Sequence, residues 1–221
     1  MSTVAIIGGT GALGGALAKR LSAVGVKVVV GSRDPDKAVR FASEIRSQDG
    51  DARISGAGLV EAAEQADICF VTVPYAAHAA TWSAIKPAVL GKIVVDATVP
   101  LQPPKVGTVQ LPSAGSAAVE AAALLGDGVR VVSALQNIGA AKLEKRADID
   151  ADVLVCGDDA EAVEVVRDLL GNLGLRSWHA GPLANSAATE AMTSVLIQLN
   201  RRYKFSDAGF RITGEMRVAS A

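Results

Sequence analysis

Residues 4–14 of the chain read VAIIGGTGALG, a short apolar run that leads directly into a glycine-rich turn. Gly9, Gly11 and Gly14 fill the pattern G-x-G-x-x-G, and leucines at helical spacing follow it. In this pattern the glycines allow a tight strand-to-helix turn and the close approach of a pyrophosphate to the N-terminus of the helix. The stretch therefore predicts a dinucleotide site with the contact residues Gly9, Thr10, Gly11, Ala12 and Leu13.

The end of the second predicted strand indicates which dinucleotide binds. Residues 27–30 form that strand, and Gly31, Ser32 and Arg33 follow it. An acidic residue here would bind the ribose 2′-hydroxyl of NAD, whereas a hydroxyl and a guanidinium suit the 2′-phosphate of NADP. Lys37, four residues after Arg33, adds a second positive charge. We therefore predict NADP(H), with Ser32, Arg33 and Lys37 around the 2′-phosphate.

Asp34 leaves an alternative open at this point. A carboxylate beside Arg33 is able to accept a hydrogen bond from a ribose hydroxyl, which would favour NAD. However, Pro35 follows it, and an aspartate before a proline is typical of a helix N-cap with proline in the first helical position. We favour the N-cap.

Strand-like and helix-like segments alternate along the rest of the chain. Strands are predicted near residues 52–55, 68–73, 93–96, 129–134, 153–156 and 175–179. Helices are predicted near residues 35–47, 59–65, 76–85, 114–125, 140–145, 160–173 and 182–200. This alternation predicts an α/β fold of the Rossmann type, a doubly wound parallel sheet with a small C-terminal α/β extension. Three prolines within residues 100–104 interrupt the pattern, so we expect an NADP-binding domain over 1–100 and the extension over 101–221.

The overall composition argues against several classes of partner. The net charge is −1 and half of the residues are hydrophobic, so we expect no nucleic-acid partner. No run of about eighteen apolar residues and no leader peptide is evident, so we expect no membrane partner and a cytoplasmic location. Cys69 and Cys156 lie in apolar strands, which is typical of free buried thiols. With His78 and His179 far apart in sequence, we expect no metal site.

Three turns at the carboxyl ends of predicted strands are candidates for the site of a second reactant, because ligands of open parallel sheets collect there. Their residues are Val73, Pro74 and Tyr75, then Thr98, Val99 and Pro100, then Gln136, Asn137 and Ile138. Tyr75 either forms an apolar wall for a ring or covers the sheet edge. Gln136 and Asn137 either present amide groups to a heteroaromatic ring or satisfy the backbone of the turn.

The chain has few candidates for acid–base chemistry. No lysine or histidine follows a predicted strand where a proton shuttle for an alcohol would be needed. His78 is expected to orient a ring or to cap a helix, and His179 to be structural. Hydride transfer between two ring cofactors requires stacking at close distance with water excluded, and no side-chain acid at the reacting carbon. We therefore assign no catalytic residue and favour a reaction between two cofactors.

Six segments of the chain together resemble NADPH-dependent reductases of the 8-hydroxy-5-deazaflavin coenzyme F420. They are GGTGALG (8–14), VGSR (30–33), TVPY (72–75), VSAL (132–135), VCGDD (155–159) and AGPLANS (180–186). The resemblance covers nearly the whole chain. The first segments are shared with many NADP-binding proteins, whereas the later ones in this order are more specific.

The resemblance implies reversible hydride transfer between C4 of the nicotinamide and C5 of the deazaflavin, with F420 as co-substrate. It places Thr10, Ser32, Arg33 and Lys37 at the NADP phosphates, and residues 98–100 and 136–138 at the deazaflavin ring. Archaeal members carry His-Thr-Ile where this chain has Gln136-Asn137-Ile138, so no role of an imidazole in that turn carries over. The resemblance also implies a homodimer, which suits the apolar last helix.

Two other functions remain open on the sequence alone. One is an NADPH-dependent reductase of a flavin, a ferric complex or a small carbonyl compound, since metalloreductases contain a domain of similar design. The other is a non-catalytic NADP-sensing module that controls a partner.

Overall fold

The computed structural model describes residues 2–145 and 149–214. Its strands are β1 Thr3–Ile7, β2 Lys27–Ser32, β3 Ile54–Gly58, β4 Ile68–Val71, β5 Ile93–Asp96, β6 Arg130–Ser133, β7 Asp152–Gly157 and β8 Arg176–His179. Its α-helices are α1 Ala12–Ala23, α2 Pro35–Gln48, α3 Leu59–Glu64, α4 Tyr75–Ile85, α5 Ala117–Leu125, α6 Ala140–Glu144, α7 Ala160–Asn172 and α8 Ser186–Tyr203. Short 3₁₀ turns follow α4 and precede α8.

The eight strands form one sheet in the order β3-β2-β1-β4-β5-β6-β7-β8. The first six strands are parallel, and the order reverses between β1 and β4. A crevice opens at such a reversal, beyond the carboxyl ends of the strands, and it is where ligands of this architecture bind. The predicted Rossmann-type α/β fold is confirmed, and the C-terminal strands β7 and β8 extend the same sheet.

The direction of β7 departs from the predicted parallel alternation. β7 pairs with β6 in antiparallel orientation, and β8 is parallel to β7. A parallel connection returns the chain to the opposite end of the strands, usually through a helix. The helix between β6 and β7 has only five residues, so it spans about 7 Å at 1.5 Å per residue. Across this connection β7 runs antiparallel to β6.

Two hydrophobic cores, one on each face, hold the helices on the sheet. Successive side chains of a strand point to opposite faces, so Val4 and Ile6 of β1 belong to one core, and Ala5 and Ile7 to the other. The first core packs against α1, α2 and α7, and the second against α3, α4 and α5. The sheet is thus covered on both sides in the doubly wound arrangement.

Two predicted helix boundaries were wrong by several residues. α5 begins at Ala117 rather than 114, because the Ser116 hydroxyl accepts a 3.0 Å hydrogen bond from the N–H of Val119 and caps the helix. α8 begins at Ser186 rather than 182, after the 3₁₀ turn Leu183–Asn185, and continues to Tyr203. Among the described residues, no helix has the length and apolar character needed to cross a bilayer.

Candidate functional site

The glycine-rich turn joins β1 to α1 at the reversal of the strand order. The N–H of Gly8 donates a 2.9 Å hydrogen bond to the carbonyl of Gly31 at the end of β2, which fixes the turn between the two strands. A Cβ on Gly14 would lie 2.5 Å from Thr72 Oγ1 and 2.8 Å from Gly9 Cα. Only glycine fits there, because α1 passes so close to the turn after β4.

The N-terminus of α1 is open to the crevice. Its N-cap residue is Gly11, so no side chain caps the first N–H groups, and Gly11 and Ala12 are exposed. Leu13 is half-buried and packs against the first core. Uncapped N–H groups at a helix N-terminus, together with the positive end of the helix dipole, attract a phosphate group. The geometry fits the pyrophosphate of a dinucleotide.

The end of β2 carries an exposed cationic pair beside a buried hydroxyl. Ser32 is buried, and its Oγ accepts a 3.1 Å hydrogen bond from the N–H of Asp34. Asp34 Oδ1 in turn accepts a 3.0 Å hydrogen bond from the N–H of Lys37, so the predicted N-cap of α2 is confirmed. Arg33 is exposed and has no hydrogen-bond or ion-pair partner within residues 2–145 and 149–214. Its guanidinium is available to an external anion.

These features surround one cavity of about 320 Å³. Its lining consists of Gly8, Thr10, Gly11, Ser32, Arg33, Asp34, Lys37, Leu59, Thr72, Val73, Pro74, Ala77 and Thr81. The cavity therefore brings together predicted residues from the glycine turn, the end of β2 and the turn after β4, whereas the predicted Gly9, Ala12, Leu13 and Tyr75 are not part of its lining. Leu59, Ala77 and Thr81 were not predicted, since only the packing of α3 and α4 on the sheet brings them to the cavity. Thr72, also not predicted, directly precedes Val73 in the turn after β4.

The turns after β4 and β5 are joined to each other. Thr98 is buried, and its hydroxyl donates a 3.4 Å hydrogen bond to the carbonyl of Val73. Pro100 is also buried, whereas Val99 is half-buried and is the most accessible of the three residues. Tyr75 begins α4, and its hydroxyl donates 2.9 Å to the carboxylate of Glu120 on α5. Burial, the larger cause, and the contact with Glu120 together raise the pKa of Tyr75 to about 12. Its hydroxyl is therefore a neutral donor.

The turn after β6 is tied to its neighbours through amide groups. Gln136 Nε2 donates to the carbonyl of Asp96 at 2.8 Å, and Asn137 Nδ2 donates to the carbonyl of Thr189 on α8 at 2.8 Å. Both side chains are 6% exposed, and Ile138 is 4% exposed. The amide N–H groups therefore satisfy backbone carbonyls. Gln136 Oε1 is buried and has no partner within the described residues.

Two buried acids at this edge of the sheet were missed by sequence reasoning. Asp96 ends β5 and lies 2.6 Å from His78 Nε2. Glu190 of α8 accepts hydrogen bonds of 2.7 and 3.1 Å from the N–H groups of Ala117 and Ala118, the first residues of α5. Burial raises the pKa of Glu190 to about 8, although those two N–H groups favour the charged form. The sequence carried a signal for each of these acids. Asp96 is a lone acid at the end of an apolar strand, and Glu190 lies on a helix face that is otherwise buried.

The two cysteines are free and buried in β4 and β7. Burial raises the pKa of the Cys69 thiol to about 12 and that of Cys156 to about 11. Neither is ionised near neutral pH, so neither has the thiolate character of a nucleophile.

Comparisons with known proteins agree with this geometry. Residues 3–100 match the family described as "NADP oxidoreductase coenzyme F420-dependent". The F420-dependent NADP reductase of Methanothermobacter marburgensis is 40% identical over 220 residues, covering 95% of this chain and 97% of the relative. That of Methanocaldococcus jannaschii is 40% identical over 219 residues, covering 95% of this chain and 97% of the relative.

A solved structure also matches over most of its length. A hypothetical protein from Sinorhizobium meliloti superposes with a TM-score of 0.70 at 28% identity, covering 85% of this chain and 88% of that chain. The relatives match over 95% of this chain, so the match extends well beyond residue 100. The chain therefore belongs to the family of F420-dependent NADP reductases.

Proposed function

We propose that this chain catalyses reversible hydride transfer between NADP(H) and coenzyme F420. The observation that carries the proposal is the 40% identity to an F420-dependent NADP reductase over 95% of the chain. When bound, the cofactors supply the chemistry, since a hydride passes between nicotinamide C4 and deazaflavin C5. The chain's own residues bind and orient the two rings and exclude water, and no side chain is assigned as catalytic.

The NADP(H) side of the site has a separate group of residues for each part of the dinucleotide. Gly9, Thr10, Gly11, Ala12 and Leu13 bind the pyrophosphate at the N-terminus of α1. Ser32, Arg33 and Lys37 bind the 2′-phosphate, because the acid next to Arg33, Asp34, is engaged as the cap of α2. Val73, Pro74 and Tyr75 shape the wall beside the nicotinamide.

The deazaflavin lies against the turns that follow β5 and β6. Val99 is the accessible side chain of the first turn, between buried Thr98 and Pro100. Gln136, Asn137 and Ile138 support the second turn from within the protein. Residues 101–221 complete this cleft as an extension of the NADP-binding domain of residues 1–100.

A single assay separates this function from its alternatives. The protein is mixed with NADPH and oxidised F420, and the loss of deazaflavin absorbance is followed, with free flavin, a ferric chelate and a small ketone as parallel acceptors. Turnover of F420 alone supports the proposal. Faster turnover of any other acceptor would assign the chain to that reductase class. Tight binding of NADPH without any turnover would identify a sensing module.

A substitution at Val99 tests the position of the deazaflavin. Val99→Trp adds a large side chain to the most accessible residue of the turn, so we expect a raised KM for F420 and an unchanged dissociation constant for NADPH. Val165→Trp on the surface of α7 is the matched control, since Val165 is 37% exposed and far along the chain from the cavity lining. Equal KM values for the two variants would contradict this placement.

We also propose that the chain forms a homodimer through α8. Met192 and Val195 are 40% and 42% exposed, and with half-buried Leu199 they lie on one face of the helix at spacings of three and four residues. Tyr203 at the end of α8 is 58% exposed. An apolar face of this length is typical of a subunit interface.

The oligomeric state of a charged variant tests the dimer. Val195→Glu places a carboxylate in the centre of the apolar face, so we expect a monomer in sedimentation experiments where the unmodified chain sediments as a dimer. Val60→Glu on α3 is the control, because Val60 has a similar exposure of 40%. A dimer that survives Val195→Glu would place the interface elsewhere.

A cytoplasmic location completes the proposal. Cys69 and Cys156 are both free, and a reducing compartment keeps thiols in that state. Cell fractionation with an antibody to the chain tests it, and recovery outside the cytoplasmic fraction would refute it.

A further inference from the structure

A buried acid and a buried histidine face each other beneath the crevice. His78 lies on α4 and Asp96 ends β5, and Nε2 of the histidine is 2.6 Å from Oδ2 of the aspartate. Their side chains are 2% and 0% exposed. A buried carboxylate is costly unless it is paired and hydrogen-bonded. The contact with His78 therefore offsets the cost of burying Asp96 at this edge of the sheet.

The remaining atoms of Asp96 hold the two turns assigned to the deazaflavin. Oδ1 accepts a 2.9 Å hydrogen bond from the N–H of Thr98, in the turn after β5. The backbone carbonyl of Asp96 accepts 2.8 Å from Gln136 Nε2, in the turn after β6. Thr98 in turn donates to the carbonyl of Val73, in the turn that lines the NADP cavity. Asp96 thus contacts the turns after β5 and β6 directly and reaches the turn after β4 through Thr98.

Trp82 competes for the same nitrogen of His78. Its indole Nε1 lies 2.8 Å from His78 Nε2, the atom that also faces Asp96. A ring nitrogen offers one in-plane hydrogen-bonding position, either a lone pair or an N–H. An indole N–H only donates, so Trp82 donates to Nε2 in the 2.8 Å contact, and the 2.6 Å contact joins the same nitrogen to the carboxyl group of Asp96. The Trp82 and His78 rings are perpendicular to each other.

We propose that the His78–Asp96 pair positions the turns after β4, β5 and β6, and thereby sets the distance between the nicotinamide and the deazaflavin. This inference rests on the proposed function. His78 and Asp96 are positioning residues, since both are buried and neither lines the cavity. Hydride transfer depends steeply on the alignment of the reacting carbons, and a misplacement of about 1 Å costs roughly 100-fold in rate.

The experiment compares His78→Leu with His78→Gln in the full-length protein. Leucine cannot hydrogen-bond to Asp96, whereas a glutamine amide reaches a position close to that of Nε2 and can form a hydrogen bond from there. We expect His78→Leu to slow single-turnover hydride transfer roughly 10- to 100-fold at saturating cofactors. His78→Gln is expected to restore most of that rate. The dissociation constant for NADPH, measured by calorimetry, should change far less than the rate, because the glycine turn and Arg33 are untouched and only the turn after β4 belongs to the same cavity.

A second measurement does not depend on F420. Amide hydrogen exchange of Thr98 is expected to speed up in His78→Leu and to stay at the unmodified rate in His78→Gln, since the partner of that N–H is Asp96. Ile85→Ala on the same helix controls for a general loss of stability, because Ile85 is fully buried in the second core. It is expected to lower the melting temperature without changing Thr98 exchange or the hydride-transfer rate.

The outcomes separate this inference from the proposed function. An unmodified protein that does not reduce F420 would refute the proposed function. The exchange rate of the Thr98 amide would still test whether the His78–Asp96 pair positions the turn after β5. An unchanged Thr98 exchange rate in folded His78→Leu would overturn the inference. So would a hydride-transfer rate in His78→Leu equal to that of the unmodified protein, or a loss of rate in Ile85→Ala as large as in His78→Leu.

Discussion

Asp34 Oδ1 accepts a 3.0 Å hydrogen bond from the backbone N–H of Lys37, so the acid that follows β2 is engaged within the protein. This contact bears on which side chain at the end of β2 is available to a bound ribose. With Oδ1 of that carboxylate capping the first turn of α2, we propose that the neighbouring Arg33 meets the 2′-position. A guanidinium at that position selects a phosphate over a hydroxyl.

The first prediction concerns this selection. Arg33→Ala removes charge-assisted hydrogen bonds worth about 1.5–3 kcal/mol, so the KM for NADPH should rise roughly 10- to 100-fold. The KM for NADH, which lacks the 2′-phosphate, should change little. Steady-state kinetics with both dinucleotides measure the effect. Arg40→Ala is the matched control, since Arg40 is an exposed arginine on α2 outside the cavity lining. Equal increases for NADPH and NADH would contradict the assignment.

The second prediction concerns the closeness of α1 to the turn after β4. In Gly14→Ala the new Cβ would lie 2.5 Å from Thr72 Oγ1 and 2.7 Å from the carbonyl oxygen of Gly8. Such overpacking costs about 1–3 kcal/mol of unfolding free energy, and the displaced turn should bind NADPH more weakly. Urea unfolding and calorimetry measure the two effects.

A second helical glycine provides the control for Gly14. Gly171 lies within α7, and a Cβ there meets no atom within 4 Å. Gly171→Ala should therefore stabilise the protein by about 0.5–1 kcal/mol, since alanine is the better helix former. A destabilisation of equal size in both variants would show that the close approach at Gly14 is not the cause.

The parts of the site that the sequence predicted are those set by neighbouring residues. The glycine turn and the Asp34 cap follow from local sterics and from hydrogen bonds within three or four residues, and both formed as expected. The His78–Asp96 contact joins residues 18 positions apart on different elements, and Glu190 bonds to α5 across more than 70 positions. Contacts of this kind depend on the register of the sheet, which the hydrophobic pattern alone does not determine.

The amides of the turn after β6 illustrate the same limit. Their residue types suited either a ring edge or the backbone of the turn, and local sequence does not choose between these partners. The structure shows that Gln136 Nε2 and Asn137 Nδ2 donate to carbonyls of β5 and α8. Only the packing of α8 against the end of the sheet supplies the second of these carbonyls.

The third prediction is a pH dependence of stability caused by Glu190. Burial raises the pKa of this carboxyl from 4.5 to about 8 in the folded chain. Between those two pH values the folded state binds more protons than the unfolded state, so its stability falls as the pH rises. The contribution is fully present below the unfolded pKa and is lost as the pH passes through about 8. The slope reaches at most about 1.4 kcal/mol per pH unit.

Glu190→Gln tests this dependence, because glutamine keeps an acceptor for the N–H of Ala117 and does not titrate. Urea unfolding at intervals from pH 5 to pH 9 should give a shallower pH profile for the variant than for the unmodified chain. Above the folded pKa the variant should gain stability relative to the unmodified chain. Parallel profiles would show that Glu190 does not change its protonation state in this range.

The fourth prediction concerns Arg20, which fastens α1 to the C-terminal part of the chain. Its Nε donates a 2.8 Å hydrogen bond to the carbonyl of Leu173, which follows α7. Its Nη1 donates a 2.6 Å hydrogen bond to the carbonyl of Lys145, which follows α6. Carbonyls at helix ends have no partner within the helix. Arg20→Met keeps the apolar stem and removes the donors, so we expect a loss of about 1–3 kcal/mol of unfolding free energy.

Arg20 lies outside the NADP site, so kinetics should separate a loss of stability from a loss of NADPH binding. Arg20 is absent from the lining of the NADP cavity, and Arg20→Met should leave the KM for NADPH unchanged at a temperature where the variant is folded. Arg20→Lys keeps the charge but lacks the planar fork that reaches two carbonyls, so it should recover only part of the stability. Full recovery by lysine would mean that the charge near the helix ends, rather than the two directed hydrogen bonds, supplies the stabilisation.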